Sequence, residues 1–559
     1  MIFYDWQLRA FDRIRGRSAV LSSPTGTGKT LVAYLWAGIL REDGQVSVPG
    51  ERILFTAPIK ALSNERYLDL RRMGLDVGIE TGDFKRNEGA PIVCCTQEIY
   101  TLKYCRLPGQ RLVVDEFHYV FSDPDRARAY IDGLRDTHPD TPVLVMSATF
   151  GGAGTIGAYL SDVSERPFIV CENFERVTEL IFRPKPPATI NGIRDALVFV
   201  FSQKGAAELA YRIARTRRRI SPEKRKRLYE LADILDVPKV QMPLLCGVGV
   251  YHGGMLPKEK LLVEAAFRER ILDVVAGTDA LSLGVNLPAE TAVFAQLVHY
   301  HDDAPISKIE FLQMSGRAGR KGLFDTGYVT WLADSPFEHK AFKTDLVFRE
   351  LMEAEPEGAC VTLRPAFGRL LRKQVTLKDE VRYICDYSLP KQDPALVEGL
   401  LRDGLKKIDR ALRKLVPVKA RDRFRKIMAN IWYEEMDVDE NLAIAVLFFH
   451  DDTPGAIEAA RLAAPFERNY LQALLKIKRF ANRLPKGYRF RGMRELNNAV
   501  DSIDPTIFGF EEKIGEIEHT LSLAGTGRWS VVSSLPEVVV GADDVPPVPG
   551  VQVDETGAL

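Results

Sequence analysis

The sequence predicts two tandem α/β units with parallel sheets, followed by a mainly helical C-terminal region. Three observations carry this reading. Short, wholly apolar runs at 19–21, 53–55, 77–79, 92–95, 112–114 and 143–146 are separated by amphipathic stretches, the pattern of strands buried on both faces and joined by helices. A second series of such runs follows at 196–201, 248–251, 274–276, 292–295 and 328–332. From about residue 337 to residue 528 apolar residues recur instead at helical spacing, as in Leu396, Leu400, Leu401, Leu405, Ile408, Leu412 and Leu415. The expected domains are 1–182, 183–336 and 337–530, with a flexible tail at 531–559 rich in Pro, Val and Asp. Residues 183–187, Arg-Pro-Lys-Pro-Pro, read as a stiff linker. Residues 376–387 read as a small helical or winged module at the start of the third region.

Composition excludes several classes. At 559 residues the chain is too long for one core. Lys+Arg and Asp+Glu both count 76, so a nucleic-acid binder with this balance must concentrate positive charge in a groove. The seven cysteines (94, 95, 105, 171, 246, 360, 385) contain no Cys-x-x-Cys pair. That speaks against a zinc ribbon, an iron–sulfur cluster or a disulfide framework and for a reducing cytoplasm. Asp5 and Arg9 interrupt the N-terminus before any apolar core, unlike a signal peptide, and no apolar run reaches the ~18–20 residues of a membrane span.

The first strand leads into Ser22-Ser23-Pro24-Thr25-Gly26-Thr27-Gly28-Lys29-Thr30 and then an apolar helix. A Gly-rich loop at a helix mouth turns backbone N–H groups into one concavity, where phosphate oxygens bind with the help of the helix dipole. Thr25, Gly26, Thr27 and Gly28 supply that cradle. Lys29 reaches the outer phosphates and the Thr30 hydroxyl suits Mg²⁺. Ser23 stands where the usual pattern has its first Gly. Asp115-Glu116-Phe117-His118 follows the run 112–114 and so lies at the strand end where open α/β sheets bind ligands. There Asp115 is expected to hold Mg²⁺ through water, and Glu116 to orient and deprotonate the attacking water. Gln7 has the donor and acceptor that an adenine edge requires. Ser147-Ala148-Thr149 ends another strand at the same edge, where its hydroxyls can link the ATP site to the cleft between the units.

In the second unit, Gln313-Met314-Ser315-Gly316-Arg317-Ala318-Gly319-Arg320 presents two arginines three apart, able to face one way on a helical stretch. If the units close on each other, Arg317 and Arg320 meet the γ-phosphate as arginine fingers. The flanking glycines suggest close backbone approach. Asp279 could bind ribose or bridge to Arg317, and Thr278 could hold a nucleic-acid phosphate. The nine basic residues from Arg212 to Arg227 read as a solvated helical face in preference to a nucleic-acid patch, since no aromatics interleave them.

The ordered series resembles the DExH-box helicases of superfamily two, and within them the Ski-type (superkiller-like) branch. It comprises SSPTGTGKT, APIKALSNERY (57–67), TGD (81–83), CTQEI (95–99), DEFHYVFSDPDRAR (115–128), SATF (147–150), VFVFSQKG (198–205), VYHGGMLPKEK (250–260), GTDALSLGVNLP (277–288) and QMSGRAGRKG (313–322). The resemblance covers residues 1–335 and continues weakly through 363–371. It implies two RecA-like domains that close on ATP and Mg²⁺ and move 3′→5′ along a single strand, with a helical bundle behind them. It places Gln313 near the γ-phosphate and assigns His118, with Ser147 and Thr149, to coupling between hydrolysis and strand. It sets Pro58, Lys60, Thr81, Gly82, Thr96, Ser202, His252 and Thr278 along the strand's phosphates, contacts that carry no base identity. Phe117 stands where Ile or Val is usual, an apolar residue in either case. Residues 390–415 amount at most to a stub of the arch found in larger members, so partners that dock on such an arch are not expected. The expected function is ATP-dependent movement along single-stranded or tailed-duplex nucleic acid, RNA favoured. The alternatives are a DNA helicase or translocase in repair or defence, and an ATP-switched clamp.

Overall fold

In the computed structural model, fourteen strands among the described residues form two sheets, an eight-stranded one in the first unit and a six-stranded one in the second. The structure describes residues 3–432 except 59, 82–84, 123, 149–150, 177, 183–187, 283–286, 288, 300–303, 320–323, 417 and 419–420, and a few isolated positions between 438 and 499. The first sheet comprises β1 (Ala19–Ser22), β2 (Arg52–Ala57), β3 (Val77–Glu80), β4 (Lys85–Arg86), β5 (Ile92–Thr96), β6 (Gln110–Val114), β7 (Val143–Ser147) and β8 (Ile169–Glu172). Its order is β4-β3-β5-β2-β6-β7-β1-β8, parallel except for β3 against β4. The apolar runs are strands because both faces are covered: the helix Lys60–Arg72 packs on β2, β3 and β5, and the helix Ala153–Ser164 on β1 and β8. Parallel strands all end on one edge, so the loops after β1, β2, β5, β6 and β7 emerge together.

The second sheet comprises β9 (Glu179–Phe182), β10 (Ala196–Phe199), β11 (Val248–Tyr251), β12 (Val274–Gly277), β13 (Thr291–Phe294) and β14 (Thr326–Trp331) in the order β11-β12-β10-β13-β14-β9, all parallel. An aromatic stack holds its helices. Phe199 stacks on Phe294 at 5.5 Å, Phe294 on Phe311 at 5.1 Å, and Phe348 meets Phe311 edge-on at 5.5 Å. These rings fix the helices Lys308–Ser315 and Thr344–Glu353 against the sheet.

Among the described residues the chain divides into one unit of residues 3–175 with 356–432 and another of 176–355. The sequence reading runs the first domain to residue 182, but β9 pairs with β14, with Leu180 opposite Gly327. The helix Thr344–Glu353 likewise belongs to the second unit. The returning segment docks on the first unit through the helix Leu377–Tyr387. Glu380, only 1% exposed, accepts two hydrogen bonds from Arg128 at 2.7 and 3.2 Å. The Arg128 guanidinium lies 4.2 Å from the Tyr383 ring centre, and the Tyr383 hydroxyl donates to Asp132 at 2.8 Å. Residues 376–387 form one helix, started by a reciprocal Thr376–Asp379 cap. The helix Pro394–Leu415 buries Val397, Leu401, Ile408 and Leu412, while Leu396 and Leu400, read from sequence as part of one apolar stripe, are exposed. The tail at 531–559 lies outside the described residues.

Candidate active site

The phosphate loop is braced from below. Gly26 and Gly28 take φ of +81° and +84°, a region that favours glycine. Gln7 is fully buried, and its side-chain nitrogen donates to the carbonyls of Thr27 (3.3 Å) and Gly28 (3.0 Å) while its oxygen accepts from the Tyr4 N–H at 2.9 Å. Its amide, expected to read adenine, is here a fastener of the loop. A Cβ on Gly28 would sit 2.5 Å from Gln7 Nε2. Ser23, the departure from the usual Gly, has a definite place. Thr27 Oγ1 donates to the Pro24 carbonyl at 2.9 Å, so the 2.7 Å contact has Ser23 Oγ donating to Thr27, and Asn173 Nδ2 donates in turn to Ser23 at 3.2 Å.

Facing the loop, β6 ends and the backbone turns sharply. Glu116 holds φ +50°, and its N–H donates to Asp115 Oδ1 at 3.0 Å. The turn sends Glu116 to Lys29, whose Nζ lies 3.0 Å from Oε2, with side chains 10% and 20% exposed. Asp115 is buried. Burial and the adjacent Glu116 push its carboxyl above the usual aspartate range, against the pull of Arg66 and Lys29. Arg66 Nη2 donates to Asp115 Oδ2 at 3.0 Å and to Thr30 Oγ1 at 3.3 Å. The two residues expected to hold Mg²⁺ thus share one cationic partner and both turn oxygen acceptors towards it. Among the described residues no group of three or more His, Cys, Asp or Glu is placed to hold a metal. Such a site leaves most of an octahedral ion to phosphate and water, as magnesium prefers.

His118 joins the coupling residues. The Ala148 N–H points at its Nδ1 from 3.3 Å, and Ser147 Oγ lies at the same distance. Nδ1 must offer a lone pair to that N–H, which puts the ring proton of a neutral imidazole on Nε2. Glu116 Oε2 stands 3.5 Å from the same nitrogen. Thr149 lies outside the described residues. On the same sheet edge Pro58, Thr81 and Thr96 end the adjacent strands β2, β3 and β5, with Thr81 and Thr96 only 3% and 7% exposed. Gly82 and the Lys60 side chain lie outside the described residues.

In the second unit Ser202, His252 and Thr278 follow β10, β11 and β12, again three neighbouring strands. Ser202 caps the helix Gln203–Arg215 by accepting from the Gly205 N–H at 3.0 Å. Burial, with Lys260 behind it, holds the His252 imidazole below its usual range. Gln313 is half-buried on the helix Lys308–Ser315. The Arg317 guanidinium donates to the Ser282 carbonyl, at the end of the turn that Asp279 opens, while the Asp279 carboxylate accepts from the Ala280 N–H at 3.0 Å. Arg320 lies outside the described residues. Gly319 has φ +70°, and a Cβ there would stand 2.7 Å from the Gly327 backbone nitrogen on β14. The basic stretch is laced with ion pairs: Arg212 to Glu208, Arg217 to Asp273 and Arg227 to Glu269. A cavity of about 630 Å³ lined by Phe11, Trp36 and Arg111 opens at the far end of the helix Lys29–Trp36, away from all these groups.

Residues 4–155 match the family model described as DEAD/DEAH box helicase, and residues 174–322 match the helicase conserved C-terminal domain. The chain belongs to the Ski-type DExH-box helicases of superfamily two. Relatives of this helicase include the mRNA transport homolog 4 of Caenorhabditis elegans, 28% identical over 428 residues, covering 60% of this chain and 40% of that one. The exosome RNA helicase MTR4 of Homo sapiens is 26% identical over 415 residues (59% and 39%). The probable helicase HelY of Mycobacterium tuberculosis strain H37Rv is 26% identical over 415 residues (58% and 45%). The chain therefore spans less than half the length of each of these relatives. The solved structure of Mycobacterium smegmatis helicase Lhr bound to ssDNA and AMP-PNP is 19% identical and covers 68% of this chain and 53% of that one, at a TM-score of 0.47.

Three residues of this helicase site escape a reading by pattern. Arg66 acts on Asp115 from a helix 49 positions earlier in the chain. Asn173 braces Ser23 across 150 positions. Arg176, whose charge burial disfavours, pulling its pKa down to about 10, lies 3.5 Å from the carbonyls of Gly316 and Ala318, beneath the loop carrying Arg317. Arg66 lies within the segment 57–67, but only spatial proximity gives these three residues a role.

Proposed function

We propose that this helicase hydrolyses ATP to drive 3′→5′ movement along single-stranded RNA. One observation supports it above the rest: Lys29, Thr30, Asp115 and Glu116, from two separate loops, converge at one edge of the first sheet. In this reading Lys29 and the backbone of residues 25–28 bind the phosphates, and Thr30 and Asp115 hold magnesium, which neutralises phosphate charge. The phosphates draw Lys29 away from Glu116, leaving that carboxylate free to take a proton from the attacking water. Arg317, Arg320 and Gln313 are assigned to the γ-phosphate. His118, between Glu116 and the Ser147-Ala148 backbone, transmits the state of the carboxylate to the strand-end loops.

RNA is favoured because relatives that align with 59% of the chain are named RNA helicases. The residues after β2, β3, β5, β10, β11 and β12 are the proposed phosphate contacts. With seven cysteines free and no described helix long and apolar enough to cross a membrane, we place its work in the cytoplasm. ATPase stimulation by matched RNA and DNA oligonucleotides tests the substrate, and equal or stronger stimulation by DNA overturns the RNA assignment. A 3′-tailed duplex tests the motor: ATP turnover without strand separation reduces it to a translocase or clamp.

A further inference from the structure

Arg66 has no part in the reading above, yet it touches both Thr30 and Asp115. It projects from the helix Lys60–Arg72, and its side chain is only 16% exposed. One terminal nitrogen, Nη2, spans Thr30 Oγ1 and Asp115 Oδ2. The other, Nη1, donates to the Tyr34 hydroxyl at 3.0 Å. Tyr34 stands one helical turn beyond Thr30 and donates to Asp69 Oδ2 at 2.8 Å. Asp69 itself lies 3.8 Å from Arg66 Nη1 and is half-exposed. With Oδ1 taken by the Glu116 N–H, both oxygens of Asp115 already accept hydrogen bonds.

We infer that Arg66 is a positioning residue that competes with the divalent cation for Thr30 and Asp115. The inference rests on reading those two residues as the metal's ligands. A guanidinium held against Thr30 and Asp115 takes the place that the ion, and the water through which Asp115 would hold it, must occupy, and its charge repels the ion. Metal loading therefore requires Arg66 to release Nη2 from both. A second position lies within reach, because Tyr34 and Asp69 already hold Nη1 and Asp69 can accept the displaced charge. Arg66 thus moves between two carboxylates, Asp115 and Asp69, and the second makes the move affordable. When metal leaves with product, the return of Arg66 re-pairs Asp115 and holds Thr30.

Mn²⁺ serves as the probe, titrated into the full-length chain saturated with a non-hydrolysable ATP analogue, with free Mn²⁺ read by electron paramagnetic resonance. Arg66→Gln, which removes the competitor, is expected to bind Mn²⁺ about tenfold more tightly than wild type. Asp69→Asn removes the receiving charge and is expected to bind it several-fold more weakly. A residue that merely props up the site would weaken metal binding in both variants, so the opposite signs are diagnostic. Arg66→Gln with equal or weaker Mn²⁺ affinity overturns the inference. Should that variant fail to fold by circular dichroism, unchanged or tighter binding in Asp69→Asn overturns it instead. A wild-type protein that binds neither the analogue nor Mn²⁺ defeats the ATP-site reading itself and the inference with it, whereas normal wild-type binding with unaffected variants defeats only the role of Arg66.

Discussion

Glu116 adopts the left-handed backbone region at φ +50°, a conformation that costs a non-glycine residue about 1–3 kcal/mol and persists only when its surroundings enforce it. Here they do: the N–H bonds back to Asp115 and the carboxylate reaches Lys29. Glu116→Gln should keep nucleotide affinity and lose about 10²–10⁴ in turnover, read by phosphate release at saturating ATP, and wild-type turnover would remove Glu116 from the role of base. Gln7→Ala should weaken nucleotide binding and lower stability by about 1–3 kcal/mol, the cost of taking the amide donor from the buried Thr27 carbonyl, while the Gly28 carbonyl keeps the Leu31 N–H. Equilibrium urea unfolding measures the second effect, and a variant that loses adenine discrimination with stability intact would show that the amide serves the base. At this scale the sequence was legible for residues whose chemistry and spacing coincide, such as Lys29, Thr30 and Asp115. It gave Arg66 no role, although that residue lies in the segment 57–67, because nothing in the segment shows which carboxylate the fold sets against it.

Elements show the same division. The strands were legible because each run is buried on both faces, which demands apolar residues throughout. The partner of β9 was not, since a four-residue strand before a Pro-rich segment carries no sign of which sheet it extends. Gly319 illustrates what an element needs from one position: its φ and its contact with Gly327 leave no room for a side chain. Gly319→Ala should destabilise the second unit by at least about 1–2 kcal/mol and displace the loop that bears Arg317. Calorimetry of the full chain measures the first effect, and an unchanged transition would mean the loop yields freely. The docking of the helix Leu377–Tyr387 is a second case. Glu380→Ala strands Arg128 in a buried setting, and breaking such a pair typically costs roughly 3–5 kcal/mol. A loss below about 1 kcal/mol would place the pair with exposed ion pairs instead.

Over the whole chain, positive and negative charges balance, so strand binding must come from local arrangement and not from net attraction. Affinity for single strands should therefore fall steeply between 50 and 200 mM salt, with little dependence on base sequence. Filter binding with homopolymers of each base checks both, and a salt-insensitive affinity would exclude phosphate contacts as its source. The order of the parts along the chain has a further consequence. Residues 356–432 complete the unit that residues 3–175 begin, so a ribosome releases the stretch 176–355 before the first unit has received its closing helices. Growing chains ordinarily fold from the N-terminus onward, whereas here the first-made unit closes only after residues 176–355 have been made. During synthesis Arg128 waits some 250 residues for Glu380, and over that interval the nascent first unit, not the second, is the natural client of a chaperone.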